Sequence, residues 1–160
     1  MCYCGNEAAL ALARARRKDV VRFAEILTQT ARAENSRLTL SAALMPEGAY
    51  EDTAFSDLHY GQNYEDAAKL YDHVLPMAYA KAYKKDAHWV RDVAQGTLKR
   101  GLRTVVGLHA YEGGTGLSLK EDIAALQKTA VDGVCLFREG AFAMAFMEER
   151  TGTLPTIIIR

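Results

Sequence analysis

Four apolar runs recur along the chain at intervals of about thirty residues, and each leads into polar or aromatic residues. Segments with the apolar spacing of helices separate the runs, and this alternation is typical of parallel strands joined by helices. Strands of a parallel sheet are covered on both faces, so their sequences are almost continuously apolar. We therefore predict an α/β fold with a parallel four-stranded sheet in sequence order and helices on its outer face, built on residues 38–47, 73–81, 104–112 and 133–139.

The segments between these runs predict the helices. Residues 7–33 form the longest helix, with one apolar face made by Val20, Phe23, Ala24, Leu27 and Ala31. Further helices are predicted at about 63–71, between the cap Asp86 and the stop Gly101, from a capping box of Ser118 and Glu121 to about 130, and at about 141–150. Residues 46–62 predict a long irregular stretch, and loops of that length are often functional.

Length sets the domain organisation. The 160 residues are enough for one domain with a core, whereas a complete eight-unit β/α barrel needs about 250 residues. Four β/α units are half of such a barrel. We predict a single domain over 1–160, with a helical region at about 1–35, four β/α units at about 36–150 and a tail at 151–160.

Composition removes several classes of partner. Basic and acidic residues number 20 each, so nothing in the charge favours nucleic acid or an anionic membrane. No apolar run reaches the roughly 20 residues of a membrane helix, and no signal peptide is visible, so the localisation stays open. Three cysteines are too few for a disulfide framework, and Cys135, inside a predicted strand, is expected to be buried. We predict no cofactor and no metal site.

Five segments, taken in order, carry a resemblance to a known family. Residues 16–23 are similar to the helix motif W-R-R-x-N-V-x-x-F, and residues 72–79 to the strand motif D-Y-V-V-P-Q-I-Y-W. Residues 40–46 stand where a strand reads F-G-I-S-P-F-G, residues 106–111 resemble I-G-x-A-x-Y, and residues 131–137 would be the last strand. This order resembles the bacterial glycosyl hydrolase-like 10 family over about residues 14–147.

The resemblance implies strands five to eight, the second half of a TIM barrel. It implies a carbohydrate ligand, hydrolysis of O-glycosyl bonds in the complete barrel (cell-wall glycan being one candidate), and a family that is often exported. The family's acidic F-D-D-Y motif has no counterpart here, His73 replaces an aromatic residue, and Met77 replaces the usual glutamine. A complementary N-terminal half-barrel is therefore an expected partner, and the chain alone is expected to be inactive.

Acidic residues at the predicted strand ends are the catalytic candidates. Glycoside hydrolysis uses two carboxyl groups that flank the scissile bond. Glu47 follows the first strand, and Glu112 follows His109 and Tyr111 at the end of the third. We predict that Glu112 and Glu47 are the catalytic residues, although each is also explained as a solvated loop residue.

Aromatic and polar residues on the same edge are the substrate-binding candidates. Aromatic rings stack on the apolar faces of sugars, and hydroxyl or imidazole groups hydrogen-bond sugar hydroxyls. The predicted binding set is Tyr79, Lys81, His109, Tyr111, Arg138, Glu139 and His59. Tyr79 and Tyr111 are equally well explained as the top layer of a packed barrel.

Two other interpretations remain open. The chain can be a non-catalytic half-barrel remnant or assembly module, because open sheet edges are templates for self-association. Its inner sheet face would expose apolar residues or their strand alternates, namely Leu40, Ala42, Leu75, Met77, Val106, Leu108, Val134 and Leu136. Alternatively, Gly113, Gly114 and Gly116 before a helix suit a TIM-barrel enzyme that acts on a phosphorylated substrate.

Overall fold

Helices and parallel strands alternate through most of the chain, in a computed structural model that describes residues 6–50, 54–109 and 116–137. The helices are α1 (Glu7–Glu34), α2 (Ala54–Tyr60), α3 (Tyr64–Leu70), α4 (Ala87–Leu98) and α5 (Gly116–Leu126). The strands are β1 (Ser41–Leu44), β2 (His73–Pro76), β3 (Val105–His109) and β4 (Gly133–Phe137), and a 3₁₀ helix spans Pro46–Ala49. The α/β class is confirmed. The predicted helix at 141–150 and the tail at 151–160 lie outside the described residues.

The strands form two parallel pairs. β1 pairs with β2 from Ser41–His73 to Leu44–Pro76, and β3 pairs with β4 from Val105–Gly133 to His109–Phe137. Two isolated parallel bridges, Val74–Thr104 and Met77–Gly107, connect β2 to β3. Parallel pairing in sequence order is therefore confirmed, whereas one continuous sheet is not observed.

Proline explains the interruption between the two pairs. The backbone N–H of Val74 donates to the carbonyl of Arg103 at 2.9 Å, and that of Met77 donates to Leu44 on the opposite side at 2.9 Å. Donors alternate between the two sides of a strand, so the next donor toward β3 belongs to residue 76. This residue is Pro76, which has no N–H to give.

The core lies between one face of the strands and helices α3 to α5. Its buried strand residues are Leu44, Val74, Val106 and Leu108, and its buried helix residues include Val90, Val93, Leu119 and Leu126. The opposite, inner face of β1, β3 and β4 therefore carries the neighbours of the apolar residues first predicted to lie on it. These inner-face residues are Ser41, Ala43, Val105, Gly107, Gly133, Cys135 and Phe137. Leu75 of β2 and Met77, which follows β2, are half-buried. The expectation that Cys135 is buried is wrong, because its side chain is exposed on this face.

An aspartate precedes β2 and another precedes β4, and the two make the same contacts. The Asp72 carboxylate accepts from the backbone N–H of Leu40 at 2.7 Å, and the Asp72 N–H donates to the Leu40 carbonyl at 2.8 Å. Asp132 repeats both bonds with Thr104, at 2.9 and 2.8 Å. These strand-start aspartates join the beginning of each strand to the strand before it.

Helix α1 begins at the predicted place. The Asn6 side chain accepts from the N–H of Ala9 at 3.1 Å and caps the helix. One face of α1 packs on α2 and α3, where Arg17 pairs with Asp57 at 3.0 Å and with Asp66 at 2.7 Å. The apolar face predicted from the sequence is mostly exposed instead. Among the described residues, no helix has the length and apolar character needed to cross a membrane.

The segment predicted to be irregular contains helical structure. It holds the 3₁₀ helix and then α2, so the prediction of a loop over 46–62 is wrong. Two glycines allow the close packing here: a Cβ on Gly48 would collide with the ring of Tyr64, and a Cβ on Gly96 would collide with the carbonyl of Ala49. The capping box is also wrong, since Ser118 lies inside α5 rather than at its cap.

The predicted stop of α4 is confirmed. Gly101 has φ +72°, a left-handed conformation that favours glycine, and its N–H donates to the carbonyl of Leu98 at 2.8 Å. Asp86 caps the other end of this helix by accepting from the N–H of Trp89 at 3.2 Å. Both ends of α4 are thus fixed by the residues that the sequence indicated.

Candidate functional site

Three rings lie side by side where β2, β3 and β4 end. The ring centroids of Tyr79 and His109 are 5.1 Å apart, those of Tyr79 and Phe137 are 5.9 Å apart, and those of His109 and Phe137 are 6.1 Å apart. The interplanar angles are 30°, 16° and 23°, so the three rings are nearly parallel. We call these residues the ring row. The ring row lies at the carboxyl ends of the strands, which is where parallel α/β proteins usually bind their ligands.

Strand register explains the ring row. His109 and Phe137 are the last paired residues of β3 and β4, and Tyr79 follows two residues after Met77, which bridges to Gly107. A Cβ at Gly107 would stand 3.3 Å from the carbonyl oxygen of Pro76 and 3.7 Å from the Tyr79 ring. A Cβ here would therefore crowd the Pro76 carbonyl oxygen and would be in ordinary contact with the Tyr79 ring.

The hydroxyl of Tyr79 stays protonated at neutral pH. Burial raises the pKa of Tyr79, and the nearby Cys135 raises it further. A neutral phenol is both a hydrogen-bond donor and an acceptor. The ring row therefore combines stacked apolar surface with polar groups on two of its three rings.

A carboxylate bound by tyrosine lies near the end of β1. Glu47 is in the 3₁₀ helix after β1, and the hydroxyl of Tyr83, in the segment after β2, donates to its two oxygens at 3.2 and 3.4 Å. Burial raises the pKa of Tyr83, and the charge of Glu47 raises it further. The pKa of Tyr60 is also raised, first by burial and then by Glu47.

Helix α4 contacts the tyrosine that binds this carboxylate. The rings of Tyr83 and Trp89 stack with centroids 5.0 Å apart at 27°. The indole N–H of Trp89 donates to the hydroxyl of Tyr50, which follows the 3₁₀ helix. Glu47 is thus held at the meeting point of β1, β2 and α4, although only Glu47 of these residues was predicted from the sequence.

A second carboxyl group has an unusual environment. Burial raises the pKa of Asp122, in α5, to about 6, and the charges of Glu121 and Asp86 add to the effect. The charge of Lys81, a predicted binding residue that is exposed after β2, acts in the opposite direction. Sequence reasoning missed Asp122. The available signal was an acidic residue between the apolar positions Leu119, Ile123 and Leu126 of one helix.

His59 makes its described contacts with helices. Its ring stacks on Phe55 with centroids 3.9 Å apart, and its carbonyl accepts from Arg16 of α1 at 2.9 Å. It also lines a pocket of about 150 Å³ between α1 and α2, with Ala9, Leu12, Ala13, Arg16 and Leu58. These contacts involve α1 and α2 rather than the ring row.

Four of the predicted site residues, Tyr111, Glu112, Arg138 and Glu139, lie outside the described residues. Their roles stay predictions, as do those of Glu47, Tyr79, Lys81, His109 and His59. Within the described part of the chain, no three His, Cys, Asp or Glu side chains are grouped so that they could hold a metal ion.

Comparison with known proteins gives a fold relationship. No protein-family model matches the chain. No curated protein matches it. A solved structure, the glycoside hydrolase domain of PgaB (BpsB) from Bordetella bronchiseptica, matches 84% of this chain with a TM-score of 0.71 and 16% identity.

The chain therefore has an α/β fold that is shared with part of a glycoside hydrolase domain. It spans 41% of the length of the Bordetella chain. At 16% identity the likeness concerns the fold alone. It supports a glycoside hydrolase-like fold, whereas membership of the glycosyl hydrolase-like 10 family and the complete half-barrel stay predictions.

Proposed function

We propose that this chain is the second half, strands five to eight, of a glycoside hydrolase-like TIM barrel, and that its ring row binds carbohydrate. The ring row is the observation that carries the proposal, because it places three near-parallel rings at the ends of three consecutive strands. The fold match to a glycoside hydrolase domain supports the same ligand class.

The chemistry of the edge suits a sugar. The exposed ring of Phe137 offers an apolar surface on which a pyranose can stack, and Tyr79 and His109 add hydrogen-bonding groups at the same level. Glu47, held by Tyr83, supplies a carboxylate that accepts hydrogen bonds from sugar hydroxyls.

Hydrolysis requires the completed barrel. Two carboxyl groups must flank the bond, about 5–5.5 Å apart for retention of configuration or about 6.5–9.5 Å apart for inversion. Glu47 and Glu112 are the acids that this chain would contribute. The complementary half-barrel would supply the acidic motif that the sequence lacks.

Binding can be tested on the chain alone. We would titrate soluble oligosaccharides, including cell-wall glycan fragments, into the labelled protein and follow the backbone resonances by NMR. Phe137→Ala should weaken binding by about tenfold, equal to about 1.4 kcal/mol, whereas Tyr79→Phe should retain the stacking and lose less.

Phe55→Ala is the matched control. Phe55 is 47% exposed and stacks on a histidine, as Phe137, at 52%, does, but it lies in α2. Equal losses in the Phe55 and Phe137 variants would contradict a specific role for the ring row. Absence of shifts at the strand ends with every oligosaccharide would contradict carbohydrate binding.

A further inference from the structure

A second cluster of side chains lies beside the ring row, around the carboxylate of Glu47. The Tyr83 hydroxyl donates to both of its oxygens, Tyr60 is a further hydrogen-bond partner, and the Tyr83 ring stacks on Trp89. We call Glu47, Tyr60, Tyr83 and Trp89 the carboxylate cluster. An ionised carboxylate has about four acceptor sites, and its two phenol partners donate only two protons, so Glu47 can also accept from the hydroxyls of a ligand.

One turn of the backbone connects the two clusters. Tyr79 of the ring row and Tyr83 of the carboxylate cluster are joined by a hydrogen bond of 3.2 Å from the Tyr83 N–H to the Tyr79 carbonyl. The turn closes with a bond of 2.8 Å from the Lys85 N–H to the Ala80 carbonyl, next to Lys84 at φ +54°. This bond and the left-handed residue beside it are the features that commonly end a helix. Tyr79 and Tyr83 are therefore held one turn apart, and the two clusters are neighbours along the same strand ends.

The order of the strands gives the length of the combined surface. β1 pairs with β2, two bridges join β2 to β3, and β3 pairs with β4, so Glu47 after β1 and Phe137 at the end of β4 are separated by all the strand spacings of the fold. These spacings amount to about 14 Å. With single bonds of about 1.5 Å, one pyranose unit lengthens a sugar chain by about 5 Å. A single sugar ring therefore cannot contact both ends of this surface, whereas about three units span it.

We propose that the ring row and the carboxylate cluster are two parts of one elongated site, which takes a linear oligosaccharide rather than a single sugar. This inference rests on the proposed carbohydrate binding, and it adds the form of the ligand. Sugar rings stack on the ring row, and hydroxyls of a unit further along the chain donate to Glu47. Tyr83 is the positioning residue that holds this carboxylate in place.

The two ends of the site offer different chemistry. Phe137 is 52% exposed and has no polar group, so it offers a stacking surface without hydrogen bonds. Glu47 is half-buried and offers acceptor oxygens without a ring. A monosaccharide should therefore use the ring row alone, and only a longer chain should gain from the carboxylate cluster.

The dependence of affinity on chain length tests the proposal. We would titrate the labelled protein with N-acetylglucosamine and its β-1,4-linked dimer and trimer, and with glucose, cellobiose and cellotriose, and take dissociation constants from the backbone NMR shifts. In the series that binds, the trisaccharide should bind about tenfold more tightly than the monosaccharide. Its shifts should extend from Phe137 to Glu47 and Tyr83, whereas those of the monosaccharide should stay at the ring row.

Variants of the carboxylate cluster should remove the gain from chain length. Glu47→Gln should reduce it to about threefold or less and leave the affinity for the monosaccharide unchanged. Tyr83→Phe keeps the ring that stacks on Trp89 but loses the hydroxyl, and it should reproduce the effect. Added to Glu47→Gln it should cost nothing further, because Tyr83 acts through the carboxylate. Tyr71→Phe, at a half-buried tyrosine near the amino end of β2, is the matched control and should retain the full gain.

Two outcomes would overturn the elongated site while the proposed function stands. One is equal affinity for the monosaccharide and the trisaccharide, and the other is an equal loss for both ligands in Glu47→Gln. Losses that add in the double variant would refute the positioning role of Tyr83. Absence of shifts with every member of both series would instead contradict carbohydrate binding itself, and the elongated site with it.

Discussion

The hydroxyl of Tyr83 is shared between the two carboxylate oxygens of Glu47, at 3.2 Å from Oε1 and 3.4 Å from Oε2. The two residues come from different β/α units, 36 positions apart. Their contact therefore joins the segments that follow β1 and β2. Because the Tyr83 ring also stacks on Trp89, the position of the carboxylate depends on α4 as well.

Removing the Glu47 charge should change the titration of its tyrosines. In Glu47→Gln we expect the pKa of Tyr83 and that of Tyr60 to fall. The substitution removes the part of each upward shift that the carboxylate causes, whereas the part caused by burial remains. Absorbance at 295 nm across an alkaline titration measures the change. Glu34→Gln, at the exposed end of α1, is the control, and superimposable curves for the two variants would contradict the assignment.

Asp122 should reduce stability at neutral pH. Its pKa is raised to about 6 in the folded protein, above the ordinary 3.8, so the folded state binds its proton more tightly than the unfolded state. Stability therefore falls as pH rises from about 4 to 6, and the loss persists at higher pH. Asp122→Asn should add on the order of 1 kcal/mol at pH 7.5, discounted for partial exposure, and almost nothing at pH 4.

Urea unfolding at the two pH values measures this effect. Asp92→Asn, at an exposed carboxylate of α4, is the control and should change stability equally little at both pH values. An Asp122→Asn variant that is less stable at pH 7.5 than at pH 4, relative to wild type, would contradict the sign of the prediction.

Arg17 should be important for the attachment of α1. Arg17→Gln removes the guanidinium that joins Asp57 and Asp66 to α1, although Asp57 keeps its contact with Asn63 and Asp66 keeps its contact with Lys69. We expect a loss of about 1–2 kcal/mol in the free energy of unfolding. The hydrogen bond from Arg17 lowers the pKa of Asp66, so its contribution is present above the ordinary pKa and disappears as pH falls below it. Arg14→Gln, on an exposed position of the same helix, should have little effect; equal losses would refute the role of Arg17.

A side chain at Gly107 should disturb the ring row. The Cβ of Gly107→Val would stand 3.3 Å from the Pro76 carbonyl oxygen and 3.7 Å from the Tyr79 ring, which leaves little room for its two γ-methyl groups. We expect the Tyr79 and His109 rings to separate, with loss of the nuclear Overhauser contacts between them, while Gly107→Ala retains most of these contacts. Gly133→Val is the control, since its Cβ meets open space.

The isolated chain should hydrolyse no glycan at an enzymatic rate. The acidic motif of the resembling family has no counterpart here, and the reaction needs two positioned carboxyl groups. Release of reducing ends from cell-wall or other oligosaccharides by the purified chain would refute this prediction. In a reconstituted barrel, Glu112→Gln and Glu47→Gln should distinguish a catalytic acid from a binding residue. Loss of a catalytic acid should lower kcat, whereas loss of a binding residue should mainly raise KM.

Local patterns made most of the fold predictable. The four strands follow from apolar runs, and Asn63 and Asp86 cap the helices that they precede. The break between β2 and β3 arises because the N–H that Pro76 lacks would have pointed toward β3. That direction follows from the strand register and cannot be read from the composition. The helical structure within residues 46–62 was not predicted, and one contact that it depends on, the packing of Gly48 against the Tyr64 ring, joins positions that no local pattern connects.

The candidate site was predictable only in part. Tyr79 and His109 were singled out as aromatic or polar residues at strand ends, and the structure brings their rings together. Phe137 was missed because its side chain has no polar group, although its place at the end of the fourth strand was the available signal. Tyr83 contacts both Glu47 and Trp89, and this long-range geometry is not revealed by any spacing in the sequence.

The strand-start aspartates have a consequence for how this protein can change. Asp72 and Asp132 fix the pairing of β1 with β2 and of β3 with β4 at the amino ends of the strands. The ring row lies at the opposite ends, one strand length away. Strand register and the proposed ligand contacts are thus carried by separate groups of residues, so the rings can be exchanged for other side chains while the strands keep their alignment.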